Sequence, residues 1–375
     1  MADSIDKSVT DTKTTVEIPG AEEVIQEQKE QIEKVQTEGG PVEIEMDEEG
    51  GAEISFDPNA VTPEGGEEHF ANLAEFLDDG LLSELASTLS DKYTSYKESR
   101  ADWEDSYRQG LDLLGFKYQR RTQPFRGASS VTHPVLAEAV AQFQATAYKE
   151  LLPSDGPVRT QILGDVTAPK QDQANRVKDF MNYQLMDQMK EYEPEFDQML
   201  FYLPLSGSTF KKVYYDDLLG RAVSKFVHSD DLVVPYSATS LEDAEAVVHV
   251  IKMSQNELRK QQVSGFYRDI DLGEPPVIEN ELKEKKQELE GITQNGQEDM
   301  YTLLEFHIDL DLEGYEDVNP EDGEPTGIKV PYIVTVDTAN TEILSIRRNY
   351  QAEDPLKKKI NYFVQFKFLP GTGFY

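Results

Sequence analysis

The chain has 375 residues, with 72 acidic side chains against 36 basic ones, a formal net charge of −36, and no cysteine. That balance argues against tight wrapping of nucleic acid and against docking on anionic membranes, which both need Lys and Arg to displace counterions. Without cysteine there can be no disulfide scaffold, thiolate zinc site or cysteine nucleophile, and a reducing interior fits.

Hydrophobic residues make up 38% and aromatic residues 10% of the chain, so most of it can build a packed core, as two or three domains or one large one with an appendage. Residues 1–66 are the exception. They are crowded with Glu, Asp, Thr, Gly and Pro; Phe56 is their only aromatic, and Lys7, Lys13, Lys29 and Lys34 are their only bases. Such a tract cannot bury enough apolar surface to offset its ordering entropy, so a disordered acidic arm is expected, with at most a transient helix from Glu22 to Val35. The start of the chain has no basic region followed by an apolar run, and no stretch approaches the ~20 apolar residues that cross a bilayer. Neither a secretory signal nor a membrane span is expected.

At Phe70 the pattern changes. Leu73, Phe76, Leu77, Leu81, Leu82, Leu85 and Leu89 recur at three- and four-residue intervals, the spacing of an amphipathic helix. A second helical stretch carries Tyr93, Tyr96, Trp103, Tyr107, Leu111 and Leu114, and a turn follows over residues 123–127. His133-Pro134 opens a third helix through Val140 to Leu151, with Pro134 suited to its first turn. The breakers of 152–157 end it. One long helix is predicted from about Lys170 to Phe201, started or kinked again at Pro194.

Beyond Ser206-Gly207 the period becomes two. Phe210–Tyr215 and Arg221–Val227 read as a hairpin, and Val247–Met253 as a further strand. Ser254 and Glu257 form a capping box for a short helix through Gln262. Residues 281–290 read as a polar helix or linker. Leu304 to Leu312, Tyr332–Val336, Ile343–Arg347 and Tyr362–Phe368 are predicted strands. Helices first and strands later give an α+β architecture, divided at 1–66 (arm), 67–205 (mainly helical) and 206–375 (β-rich).

No catalytic signal stands out. His307, Asp309 and Asp311 share one face of a strand and could converge on a metal, but the alternation assigns them to the wet side of a half-buried strand. His228-Ser229-Asp230-Asp231 is too compact for a triad, whose members come from separated loops, and reads as an acidic turn. Gly207 to Lys212 lacks the spacing of a phosphate-cradling loop and reads as a turn entering a strand. Lys117, Arg120, Arg121 and Arg126, interleaved with Phe116, Tyr118 and Phe125, could serve phosphates and stacking; in so acidic a chain they suit a neighbour's carboxylates better. Lys357-Lys358-Lys359 marks an exposed loop. The expectation is no catalytic, cofactor or metal residue, and no enzyme.

Several segments in a fixed order carry a resemblance. They are Phe125-Arg126-Gly127-Ala128-Ser129-Ser130, His133-Pro134-Val135-Leu136-Ala137-Glu138-Ala139, and Glu150-Leu151-Leu152-Pro153 with Gly156-Pro157-Val158. Downstream come Leu205-x-Gly207-x-x-Phe210-Lys211-Lys212, the run from Asp230 to Ala238, Val248 to Met253, Tyr332 to Val336, Ile346 to Tyr350, and Phe366 to Tyr375. Together, over roughly residues 100–375, they resemble the N-terminal half of portal proteins, the head-to-tail connectors of short-tailed double-stranded DNA bacteriophages. The resemblance implies a portal-like wing and a twelve-fold homo-oligomeric ring at one capsid vertex of the virion, assembled in the host cytoplasm. It also implies scaffold and capsid proteins, the terminase large subunit and head–tail adaptor or tail proteins as partners, with double-stranded DNA passing without sequence-specific binding. Portals of this group are longer, so the stem, clip and crown are expected to be missing here. The charge suits a conduit, since carboxylates along a wall repel phosphate. Two rival readings are an acidic scaffold or interaction protein and a metal-dependent nuclease built on His307, Asp309 and Asp311.

Overall fold

The computed structural model describes residues 43–46, 52–55, 69–115, 125, 133–216, 219–235, 237–274, 300–318, 324–369 and 374. The chain divides into two units, Met1–His69 and Phe70–Tyr375. In the first, only an antiparallel hairpin is described, β1 (Glu43–Met46) and β2 (Ala52–Ser55), with Ile44 opposite Ile54. The expected disordered arm otherwise lies outside the described residues. So do the turn of 123–127 apart from Phe125, the polar stretch 281–290, and Lys117, Arg120, Arg121 and Arg126.

The second unit is mixed α+β. A single 3-10 turn (Leu73–Glu75) leads into α1 (Asp79–Ser99), whose N-terminus is capped by the Asp78 carboxylate accepting from Gly80 N–H. Next come α2 (Ala101–Leu114) and α3 (Val135–Leu151). Pro134 stands at the N-cap of α3 rather than in its first turn, as the sequence suggested. The long helix predicted over 170–201 is two helices. The first is α4 (Ala168–Tyr183), ending in a π turn (Gln184–Gln188); the second is α5 (Tyr192–Ser206), with Pro194 in its first turn. A proline there removes only an N–H that had no helical partner, so Pro194 starts a helix and does not kink one.

Gly207, at φ +85°, takes the left-handed conformation that ends α5, and the chain enters β3 (Ser208–Asp216) and β4 (Arg221–Val227). The remaining elements are β5 (Leu232–Val233), β6 (Ala246–Ser254), α6 (Gln255–Val263), β7 (Met300–Leu310), β8 (Val330–Asp337), β9 (Ile343–Arg348) and β10 (Phe363–Lys367). The Ser254–Glu257 capping box is present at the start of α6.

Two antiparallel sheets organise the unit: a small one in the order β10-β3-β4 and a larger one in the order β5-β6-β7-β8-β9. The strand period of two decides what each face meets. On β7, Leu304, Phe306 and Ile308 point to one face, where Leu82, Ala86 and Leu89 of α1 cover them. Tyr301 and Leu303 point to the other, beneath Leu258 of α6 and Tyr267. Glu305 and His307 share that second face, where it meets the small sheet. The helices form their own layer: Phe143 and Ala147 of α3 pack with Phe196, Met199 and Leu200 of α5, and Trp103 and Tyr107 of α2 pack with Tyr202.

Both sheets have an edge closed by side chains rather than by another strand. At β9, Asn72 Nδ2 donates to Leu344 O (3.0 Å) and Asn72 Oδ1 accepts from Ile346 N–H (3.0 Å). At β4, Glu195 of α5 accepts from Phe226 N–H at 2.5 Å. An uncovered edge is a template for unwanted pairing.

Candidate functional site at the sheet junction

Where the small sheet crosses the large one, a group of polar side chains is enclosed. Lys212 of β3 donates to both Glu305 oxygens, at 2.6 and 2.8 Å. His307 Nε2 lies 2.8 Å from Glu305 Oε1; facing an ionised carboxylate it must be the donor, which fixes the tautomer. His249, directly across the ladder from Glu305, brings Nδ1 to 3.8 Å, too long for a hydrogen bond. Phe363, paired with Lys212 across β10 and β3, sets its ring edge-on to both imidazoles, at 5.5 and 5.1 Å.

The electrostatics follow from enclosure. Burial by itself would raise the Glu305 carboxyl, but the Lys212 charge and the two histidines outweigh it and hold the group well below the ordinary carboxylate range. Burial holds the His307 imidazole below its ordinary value, against the pull of Glu305. An ionised glutamate, a cationic lysine and a neutral histidine make a net-neutral set whose hydrogen-bonding groups face one another. Such a set fastens two sheets.

His307 is therefore not on the wet side of its strand, as its alternation suggested. Alternation reports which residues share a face but not what lies over that face, and here β3 and β10 cover it. Asp309 is exposed at the strand's end and Asp311 lies beyond it. The face they share with His307 runs out from under its cover, and no three potential metal ligands converge among the described residues.

His228 to Asp231 form a turn, and the side chain that holds it is distant in sequence. The Arg100 guanidinium donates to the carbonyls of Ser229 (3.1 Å), Leu232 (2.9 Å) and Asp230 (2.7 Å), while Arg100 Nε donates to Glu104 at 2.8 Å. Arg100 stands at the break between α1 and α2. Ser229 is buried, its hydroxyl donating to Ser208 O, and the His228 ring lies edge-on to Tyr202. The segment after Gly207 is a turn into β3, as read.

Adjacent lysines on β3 point to opposite faces, and both faces are covered. Lys212 enters the junction; Lys211 is buried against α5, its Nζ 4.2 Å from the Tyr192 ring centre and 5.2 Å from that of Phe196. Burial lowers the Lys211 ammonium to about 8. In the Lys357-Lys358-Lys359 loop only Lys358 is fully exposed: Lys357 pairs with Asp317, and Lys359 is held below its ordinary value by burial. The sequence reading missed Lys211, Lys212, Glu305, His249, Arg100 and Asn72. The signal available for the two lysines was a pair of cations in a strand with apolar flanks.

No helix among the described residues is long and apolar enough to cross a membrane. Compared with known proteins, the chain matches no family model and no curated protein.

Proposed function

We propose that the chain is a subunit of a bacteriophage portal, a ring at one capsid vertex through which double-stranded DNA is packaged and ejected. One observation carries the reading beyond the order of the resembling segments: three of them, scattered along the chain, contribute to a common core. Phe210, Leu232, Val234, Ala238, Val247 and Phe374 form one buried cluster. Phe374 stacks on Phe210 with ring centres 5.5 Å apart, its carbonyl accepts from Ser208 Oγ at 3.2 Å, and β10 pairs along β3.

The charge supports the same reading. A ring of copies each carrying −36 surrounds its channel with a field that repels phosphate, so DNA slides without being held. Driving force then comes from outside, from the terminase motor, with scaffold, capsid and tail-adaptor proteins meeting other faces of the ring in the virion.

The test is the mass of the complete polypeptide in native mass spectrometry and its outline in negative-stain electron microscopy. A closed ring of one defined stoichiometry is expected. A persistent monomer, or nucleotide hydrolysis or DNA cleavage by the purified protein alone, overturns the reading.

A further inference from the structure

We infer that residues 156–183 form an arm that docks on a second copy of this chain, against the outer face of α1 and α2. This deepens the ring proposal by naming a surface through which neighbouring copies engage.

The arm is internally stapled. Asn182 Oδ1 accepts from Val158 N–H at 2.9 Å, Asn182 Nδ2 donates to Val158 O at 3.2 Å, and Thr160 Oγ1 donates to Ala174 O at 3.1 Å. These bonds lay the extended stretch after Gly156 along α4. Gly156 is at φ +88°, and a Cβ there would stand 2.4 Å from Asn182 Oδ1, so the staple requires glycine.

Among the described residues, what the arm lacks is cover. No residue of α4 is buried, and apart from the π turn that follows it, α4 makes at most slight contact with any described element. Yet Val177, Phe180 and Met181 fall at i, i+3 and i+4 on one stripe, with Phe180 58% exposed, and Leu163 on the accompanying stretch is 85% exposed. A helix of this length with no further described element packed on it is marginal in water. An apolar stripe kept on such a helix is the mark of an interface.

Charge selects the occupant. Residues 157–183 carry four basic and three acidic side chains, in a chain of net −36. Arg176, four residues before Phe180, puts a cation at one rim of the stripe, and Lys170, seven before Val177, stands on the stripe's own line two turns upstream. The outer face of α1 and α2 is the complement: Glu84, Asp91 and Glu98, at intervals of seven, share one face of α1, Asp102 and Asp105, three apart, share a face of α2 beyond the break at Arg100, and all five are exposed. Exposed Phe76 and Leu81 lie just before α1 and in its first turn, and exposed Leu113 lies in the last turn of α2. Two such acidic chains repel over most of their surfaces; arm against stripe reverses the sign. An arm that meets a different surface of its neighbour makes a head-to-tail contact, the kind that closes rings.

The test uses the complete polypeptide with Phe180→Asp, with Arg176→Glu, and with Arg176→Glu plus Glu98→Arg, followed by sedimentation velocity across a concentration series. Circular dichroism of each variant should match the wild type, because both positions on the arm are exposed. Phe180→Asp is expected to weaken association by at least about 30-fold, the loss typical of a central interface residue. Arg176→Glu should weaken it less, and the charge swap should recover part of that loss. If the wild type forms a ring and all three variants assemble equally well, this docking is wrong while the ring reading stands. A wild type that stays monomeric at every concentration sinks both.

Discussion

Lys212 and Glu305, 93 residues apart, hold the two sheets together through a two-pronged contact of 2.6 and 2.8 Å, with both side chains largely out of water. Removing one partner leaves the other charge enclosed and unmatched. Lys212→Met or Glu305→Gln alone is therefore expected to cost about 3–5 kcal/mol in urea unfolding. The double variant Lys212→Met with Glu305→Leu should recover most of that, because paired desolvation disappears with the pair. A double variant as unstable as the worse single one would show that the junction depends on the ion pair itself.

The same junction sets a pH dependence. His307 is held below its ordinary 6.5 in the folded protein, so folding favours the neutral ring. Its contribution is whole above pH 6.5 and is lost as pH falls from there toward the folded value. Glu305, held well below 4.5, contributes fully above 4.5 and begins to lose that only in stronger acid. Thermal midpoints should accordingly be level near pH 7 to 7.5 and decline below 6.5. In His307→Gln the decline between 6.5 and 5 should be shallower. An identical slope in both proteins would remove His307 as its source.

Lys211 has a consequence of the same sign on the alkaline side. Burial lowers its ammonium from 10.5 to about 8, so the folded state favours the neutral amine. Its contribution is whole above pH 10.5 and falls away as pH drops toward 8, below which no further loss occurs. Between pH 8 and 10 the wild type should gain stability relative to Lys211→Met, measured by urea midpoints of both proteins at each pH. Parallel curves would show that the amine is solvated.

Much of this architecture could be read from residue order. The period change at Gly207, the β3–β4 hairpin, the Ser254 capping box and four later strands all follow from local spacing, which side-chain alternation and capping chemistry encode within a few residues. What escaped is what depends on a second element. Leu185 and Met189 continue the apolar pattern of α4, yet the chain leaves the helix there, because Met189 is buried at the bend before α5. Glu305 and His307 looked solvated because a strand's own sequence cannot announce the sheet laid across it. Arg100 reads as one more charge on a helix, and only the turn at 229–232, far along the chain, gives it partners.

Asn72 illustrates that last class and gives a further expectation. It lies just before the 3-10 turn, yet its amide satisfies Leu344 O and Ile346 N–H on the outer side of β9, 272 and 274 residues away. Asn72→Ala leaves a buried carbonyl and N–H without this partner and uncovers a stretch of sheet edge. A loss of about 2–3 kcal/mol is expected from two such bonds. Asn72→Asp should fare no better: it keeps the acceptor for Ile346 but faces Leu344 O with a second oxygen. Urea unfolding of the three proteins decides it. An alanine variant of wild-type stability would mean that Arg268 N–H, which also donates to Leu344 O at 2.9 Å, closes the edge sufficiently.

Thr341 sits at φ +56° in the turn between β8 and β9, a left-handed conformation that a β-branched side chain resists. The turn is fixed from the other side: Asp337 Oδ2 accepts from Ala339 N–H (3.2 Å) and Asn340 N–H (2.9 Å), and Asn340 Nδ2 donates to Leu272 O (2.8 Å). With those contacts holding the loop, the strain at Thr341 cannot relax by moving the backbone, so changing the residue should relieve it. Thr341→Asn keeps a side chain that tolerates the left-handed region and is expected to raise stability by about 1 kcal/mol. Thr341→Gly should gain less, because glycine's freedom in the unfolded chain takes back part of the benefit. Thr341→Val, equally branched, should gain nothing. Thermal unfolding of the three variants ranks them, and a valine variant as stable as the asparagine one would show that backbone strain is not what Thr341 contributes.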